Sequence, residues 1–496
     1  MKQKSNNWMT DVLFSLDNFS ERTAFVIQEK KYSYGQLKAM IASIMSEIPF
    51  QNKKIGIIGD DSIHTYAAIL ATLFSGNTYV ILHPSYPNER NKKIISNAEI
   101  SLILGAGDNP INLAGTDLPY LQIQEKVPSC DTIELKGKPS DLAYIIFTSG
   151  STGEPKGVPI SRANLDAFFA AYSKLGWKLN ETDRMLQMFE LTFDVSVVSL
   201  LYPLTIGASI YTVGHKDIKH FKVAALLEDE KLTFATLTPS LLQLLSPYYA
   251  DIHLPDLKYL VVSAEASQTE TVGKFRDCAP NATFVNLYGP TETTIYCCCY
   301  TIPILDIKAY NGMVAIGKPF DGIQTVIVDE NGYALEEGQQ GELLVAGNQV
   351  MEGYYKNPEK TKEAITVRGD NKKYYRTGDL CIMDKEGDIF YCGRKDHQVK
   401  IQGFRIELSE IENAARSFFK GTRNAIALTY NEAGTGDALL LVIEGVENVD
   451  IEALENYMRE NIPYYMIPRK ILFLEKFPIN NSNKIDRKKI KNIINY

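Results

Sequence analysis

The sequence predicts an α/β protein: a large N-terminal domain of two parallel-type α/β sheets with a small β-barrel-like subdomain, then a small α+β C-terminal domain. Three observations carry this. Between about residues 54 and 290, short β-like runs alternate with helix-periodic segments, the pattern of parallel sheets covered on both faces. After residue 300 the strands are short and punctuated by glycine, as in antiparallel hairpins. From about residue 397 a last block mixes strand-like and helix-like stretches. At 496 residues the chain also exceeds what one core usually supports.

The strand candidates of the first part are Ile55–Ile58, Thr78–Leu82, Ser101–Leu104, Ala143–Phe147, Ala208–Thr212, Phe234–Leu237, Tyr259–Ser263 and Thr283–Leu287. Between them lie helix-periodic segments such as Ile63–Phe74, Ala163–Leu175, Phe221–Glu230 and Gln268–Arg276. In the second part, Thr325–Val328 precedes the turn Asp329-Glu330-Asn331-Gly332, and Glu342–Ala346 precedes Gly347. The last block offers strands at Ala425–Tyr430, Ala438–Glu444 and Ile471–Leu474 and a helix at Ile451–Asn461. No internal repeat or low-complexity segment interrupts this order.

Composition narrows the function. With 52 Lys and Arg against 60 Asp and Glu, the net charge is −8, which argues against a nucleic-acid-binding surface. The N-terminus meets Asp11 before a signal-peptide core forms. Three uncharged stretches, 62–88, 195–215 and 232–250, are each broken by Pro, Gly or hydroxyl residues, so none reads as a membrane span. The seven cysteines have neither disulfide nor zinc spacing; the run Cys297-Cys298-Cys299 reads as small buried hydrophobes. A reducing, cytoplasmic compartment is expected.

The most informative segment is TSGSTGEPKG, residues 148–157, directly after the apolar run Ala143–Phe147. Glycines let successive N–H groups converge on an anion. Thr148, Ser149, Ser151 and Thr152 add donors around Gly150 and Gly153, and Lys156 adds a charge within reach of a phosphoryl oxygen. The alternative is a flexible surface loop. The spacing is not that of a P-loop, and no G-x-G-x-x-G dinucleotide fingerprint follows a strand elsewhere.

Five further segments matter together. NLYGPTETT, residues 286–294, places Thr291 and Glu292 after a strand end. Asp379 ends YRTGD, a carboxylate able to accept from two neighbouring hydroxyls. GRKDHQVKIQGFRIELSEIE, residues 393–412, alternates basic and apolar residues before an acidic helix start. FPINNSNKIDR, residues 477–487, holds a lone lysine in a polar turn. TFDVS, residues 192–196, sets an acid among apolar residues. Singly, Asp379 also reads as a turn residue, Lys484 as a solvated charge and Asp194 as a helix N-cap.

In their order and spacing these motifs resemble the adenylate-forming superfamily that contains acyl-CoA synthetases, luciferases and the adenylation domains of nonribosomal peptide synthetases. The match runs from Tyr32-Ser33-Tyr34-Gly35-Gln36-Leu37 through SGNTYVILHPSYPNER, residues 75–90, to Lys484. Within the superfamily the chain is most similar to amino-acid adenylation domains and stand-alone D-alanine:carrier-protein ligases. The resemblance implies two half-reactions: ATP and a carboxylate give an acyl-adenylate and pyrophosphate, then a phosphopantetheine thiol on a carrier protein takes the acyl group.

What the resemblance implies for residues is as follows. Lys484 bridges the substrate carboxylate and the α-phosphate, so it is the expected catalytic residue, and the 148–157 loop holds the β- and γ-phosphates. Glu292 positions Mg²⁺, a hard ion suited to carboxylate oxygen. Tyr288 stacks near adenine, Asp379 and Arg394 hold ribose, and Asn286, Gly289 and Thr291 complete the nucleotide site. Asp194 pairs with the substrate's α-ammonium; a fatty acid would leave that buried charge unpaired. Asp194, Val195, Val198, Thr236, Val261, Ser263, Leu287, Ile295 and Tyr296 form the specificity pocket. Apart from Asp194 none of these is charged, so a small to medium neutral amino acid is expected.

The resemblance also implies a mobile lid, 396–496, that follows a large domain, 1–395, and is expected to pivot near Asp396. Lys400 and Gly403 then line the thiol path. Two departures from the family pattern stand out. Ser482-Asn483 replaces the usual Asn-Gly before the lysine, and His83 replaces an acid after the second strand. Partners are expected to be an amino acid and a separate carrier protein, with no nucleic acid and no membrane insertion; a monomer is expected. The competing reading is an acyl- or aryl-CoA synthetase using free CoA, and a catalytically silent ATP-binding scaffold is a third.

Overall fold

The computed structural model describes residues 7–107, 118–123, 132–150, 154–214, 217–432, 436–446, 449–479 and 485–494. Two sheets dominate. One has six strands in the order Tyr120–Gln122, Ile100–Gly105, Lys54–Ile58, Thr78–Leu82, Leu142–Thr148 and Lys156–Ser161. All its pairs are parallel except the last.

The other sheet has nine strands. Its middle runs Thr283–Tyr288, Tyr259–Ser263, Phe234–Leu237, Arg184–Gln187, Ser209–Thr212 and Thr23–Ile27, all parallel. Antiparallel strands flank both ends, Cys298–Ile302 with Lys318–Pro319 on one side and Lys30–Ser33 on the other.

Apolar composition explains the elements. The helix Ile63–Phe74 starts at Ser62, whose hydroxyl accepts from Thr65 N, and all but one of its residues are buried. It is apolar on every side because it is enclosed. The strand Thr78–Leu82 is buried along its whole length, as a central parallel strand must be. Cys297 and Cys298 are buried and Cys299 partly so, each as a free thiol.

Beyond residue 320 an antiparallel sheet forms from Ile323–Val328, Gly341–Gly347 and Lys373–Met383. Ile365–Val367 and Ile389–Arg394 both pair with Lys373–Met383. After it comes a hairpin, Gln398–Ile401 with Phe404–Glu407, and the helix Leu408–Phe418. The strands Ala425–Glu432, Gly436–Glu444 and Lys470–Leu474 form the last sheet, packed by Ile451–Asn461. Among the described residues, the apolar clusters of this final segment contain nothing before Val399, and the other clusters contain nothing after Tyr391. No helix among the described residues is long and apolar enough to cross a membrane.

Polar contacts join the final segment to the rest. Arg90 and Glu410 form a buried ion pair, and the Tyr464 hydroxyl donates to Glu190. The Phe404 ring stacks on Tyr465 at 4.3 Å and meets Phe193 edge-on at 5.0 Å.

Candidate active site

The candidate side chains gather around the ends of Leu142–Thr148 and Thr283–Tyr288, one strand from each large sheet, the position at which open α/β sheets receive ligands. Leu142–Thr148 and Lys156–Ser161 form a hairpin in which Thr148 lies opposite Lys156. At Gly150 an added Cβ would stand 2.2 Å from the Glu154 carbonyl oxygen, so only glycine fits. The Thr148 hydroxyl is buried without a hydrogen-bond partner, and the Ser149 hydroxyl donates to the Arg405 carbonyl at 3.1 Å. An orphaned donor at the strand end suits an incoming phosphate oxygen. Ser151, Thr152 and Gly153 lie outside the described residues.

Glu292 is the hub of the site. It stands in the short 3₁₀ turn Thr291–Thr293 and is fully buried. One carboxylate oxygen accepts from the Tyr354 hydroxyl at 2.7 Å, with Lys156 Nζ 3.8 Å away. The other accepts from Arg405 at 2.9 Å. Burial acts to raise its pKa, but Arg405 and Lys156 overcome this and hold it far below the usual carboxylate range. Lys156 also donates to the Tyr354 hydroxyl at 3.2 Å; burial first, then Arg405, pulls its pKa down to about 8. The positive charge that an acidic protein must concentrate around an anion is thus local: Lys156, Arg394, Lys400 and Arg405.

Asp379 lies on Lys373–Met383, directly opposite Arg394. Arg394 Nη1 donates to one carboxylate oxygen at 2.6 Å, and the Tyr288 hydroxyl donates to the other. The same guanidinium clamps Asp396 with two bonds of 2.7 Å. Both oxygens expected to hold ribose are therefore engaged here by the two residues expected beside them. The Asn286 amide donates to the Ala315 carbonyl at 2.8 Å.

A cavity of about 470 Å³ opens between the end of Thr283–Tyr288, the 289–291 turn, the start of the helix Val195–Ile206 and the 398–403 stretch. Asp194 is buried at the N-cap of that helix yet makes no capping hydrogen bond. Its carboxylate faces Thr291 and Lys400; burial raises its pKa to about 6 against their influence. The N-cap alternative therefore lacks the bond that defines it.

Asp194, Val195, Leu287, Ile295 and Tyr296 line the cavity, while Val198, Thr236, Val261 and Ser263 are buried behind it. Ser263 and Tyr296 pair hydroxyl to hydroxyl at 3.0 Å, which engages one of the two hydroxyl protons. Thr294 and Ile295 both carry positive φ, 60° and 72°, a strained conformation for β-branched residues at the pocket wall.

The 398–407 hairpin fills the remaining side. Lys400 Nζ sits 5.9 Å from the Tyr288 ring centre, its pKa lowered by burial and partly restored by Asp379. The Gly403 N–H donates to Glu265. Lys484 lies outside the described residues. Arg405, Tyr354 and Glu265 were not singled out from sequence. Arg405 stands in the basic–apolar alternation of residues 393–412, which marks the stretch but not its partner 113 residues away.

Comparison with known proteins agrees with this geometry. The family model described as "AMP-binding enzyme" matches residues 15–355. Tyrocidine synthase 2 of Brevibacillus parabrevis is 33% identical over 494 residues, covering 95% of this chain but 13% of that protein. The chain thus spans only a small part of that relative. A D-alanine–D-alanyl carrier protein ligase of Streptococcus pneumoniae (strain ATCC 700669 / Spain 23F-1) is 30% identical over 521 residues, covering 99% of each. The Vibrio cholerae adenylation domain AlmE, solved with glycyl-adenosine-5'-phosphate, superposes with a TM-score of 0.87 at 23% identity, covering 100% of this chain and 99% of that one. The chain belongs to the AMP-binding enzyme family, the adenylate-forming ligases.

Proposed function

We propose that the chain activates a small to medium neutral amino acid as its aminoacyl-adenylate and transfers it to the phosphopantetheine thiol of a separate carrier protein. The observation that carries this reading is Asp194: a buried carboxylate on the cavity wall, without a capping bond, among otherwise uncharged lining from the expected pocket. An α-ammonium pairs with it, whereas an acyl chain offers it no partner and forces it to stay a buried charge or to take up a proton. Relatives whose names include a D-alanine–carrier ligase and peptide synthetases support the same direction.

In the first half-reaction a substrate carboxylate oxygen attacks the α-phosphorus, and the bond to the β-phosphate bridging oxygen breaks to release pyrophosphate. Two anions meet, so cations must stand at the centre. Lys484 is assigned to the carboxylate and α-phosphate, and the 148–157 loop to the β- and γ-phosphates, with the buried Thr148 hydroxyl as a ready donor.

Mg²⁺ supplies charge neutralisation of the phosphates when bound, and Glu292 is the carboxylate chemically suited to it. In this arrangement Arg405 occupies one Glu292 oxygen, so the hairpin must withdraw before that carboxylate is free.

In the second half-reaction the thiol sulfur attacks the acyl carbon and AMP leaves. Lys400 and Gly403 are assigned to this state, and the change between states to the segment following Asp396, whose carboxylate is clamped by Arg394.

Amino-acid-dependent pyrophosphate exchange across the proteinogenic set, with D-isomers, tests the proposal. Exchange is expected for small to medium neutral amino acids. Strongest exchange with Asp, Glu, Lys or Arg overturns the pocket argument, and transfer to free CoA in preference to a holo carrier overturns the acceptor.

A further inference from the structure

Besides the Arg405 contacts, the 398–407 hairpin has, among the described residues, one polar anchor at the tip of its turn. Gln402 and Gly403 both carry positive φ, 52° and 83°, so the Gly403 N–H is turned out of the hairpin ladder. That N–H donates to Glu265 Oε1. An added Cβ at Gly403 would come within 3.0 Å of Thr238 Cγ2, so the turn lies directly against the wall that Glu265 belongs to.

Glu265 is in turn fixed by that wall. Its Oε2 accepts from Ser240 N at 3.0 Å and its Oε1 accepts from the Ser240 hydroxyl at 3.1 Å. The preceding residue, Ala264, holds φ 71°, a left-handed conformation that costs a residue with a Cβ energy and persists only where the surroundings impose it. The strain turns the backbone directly after Tyr259–Ser263 and delivers the carboxylate to the hairpin tip. Burial acts to raise the Glu265 pKa, while the Ser240 and Gly403 bonds act to lower it. A withdrawn hairpin takes one of those donors away.

The geometry points to Glu265 as a positioning residue for thiol transfer: it seats the hairpin tip so that Lys400 and the Gly403 backbone border the acyl group, and it takes no part in adenylation. This rests on the two-step reading above. Glu265 does not act on the reacting atoms; it acts through the turn. Nothing in the expected site set assigned it a role.

The test compares Glu265→Ala and Glu265→Gln with the unaltered full chain. In Glu265→Ala the Ser240 N–H at the start of helix Pro239–Leu245 loses its acceptor, while the Thr238 cap on Leu241 N remains. Gln retains one acceptor oxygen, enough for part of the contact set. Ser240→Ala is the control that removes one Glu265 contact while leaving the Gly403 bond.

Amino-acid-dependent pyrophosphate exchange is expected to stay within about twofold of the unaltered protein in all three variants. Single-turnover transfer from preformed adenylate to a holo carrier is expected to fall at least about tenfold in Glu265→Ala, less in Glu265→Gln and little in Ser240→Ala. Backbone amides of residues 398–407 are expected to exchange hydrogen faster in Glu265→Ala. Equal losses in both half-reactions, or unchanged transfer and unchanged protection in Glu265→Ala, overturn the assignment. An unaltered protein that exchanges pyrophosphate but loads no carrier counts against the carrier reading instead, and the amide protection then decides for or against Glu265.

Discussion

Lowering the pH from 7 to 5 is expected to weaken amino-acid binding about tenfold through Asp194. Its pKa of about 6 in the ligand-free site means that about nine-tenths of the molecules carry the carboxylate at pH 7 and about one-tenth at pH 5. Only the ionised form pairs with an α-ammonium, and pairing itself draws the carboxyl pKa down, so the complex stays ionised across the range. The sign follows: binding strengthens as pH rises through 6 and levels off above about 7.

The assay is kcat/KM for the preferred amino acid in pyrophosphate exchange from pH 5 to 8 at saturating ATP. Asp194→Asn keeps the shape and removes the charge. It is expected to cost about 3 kcal/mol or more in kcat/KM, on the order of a hundredfold, and to abolish the inflection. A flat profile in the unaltered protein, or the same inflection in Asp194→Asn, refutes the reasoning.

Two further outcomes are expected. Lys484→Ala lowers adenylation by orders of magnitude while transfer from preformed adenylate largely persists; both steps unaffected in rapid-quench assays would remove that lysine from the mechanism. Gly150→Ala forces the phosphate loop apart against the Glu154 carbonyl, and at least a tenfold rise in the KM for ATP is the expected readout, with thermal stability little changed because the strain is confined to one turn.

Much of the fold was legible because burial writes itself into local pattern. Thr78–Leu82, Phe234–Leu237 and Tyr259–Ser263 were read with their observed bounds, as was the helix Ile63–Phe74. Arg184–Gln187 escaped notice: four residues with polar ends carry no periodicity, and only the neighbouring strands make them one. Lys156 and Gly157 fall in the segment read as a phosphate loop, yet they open the strand Lys156–Ser161, which pairs at the sheet's edge, where Pro159 is tolerated.

The site divides the same way. Carboxylates at strand ends, such as Glu292 and Asp379, stand out from apolar surroundings. What they touch does not, since Arg405 and Tyr354 reach Glu292 across 113 and 62 residues and no local spacing encodes such a meeting. Val198, Thr236, Val261 and Ser263 are buried but do not line the cavity, a distinction that local sequence pattern does not carry.

The seam around the hairpin has a consequence for how the enzyme responds to its own ligands. Arg405 on Glu292, Arg90 on Glu410 and Gly403 on Glu265 are charge-bearing contacts withdrawn from water, with the Phe404 ring cluster as a small apolar supplement. Docking of this kind is the small remainder of two large opposing quantities, the loss of hydration and the gain in attraction. Such a remainder is easily reversed. A polyanion arriving beside Lys156 and Arg405 would compete with Glu292 for Arg405, the cation that holds the hairpin down, so nucleotide triphosphate is expected to loosen the closed seam. Added salt, by contrast, reaches these shielded pairs poorly. The expected consequence is a hairpin that responds to the charge of a bound ligand more than to the ionic strength around it.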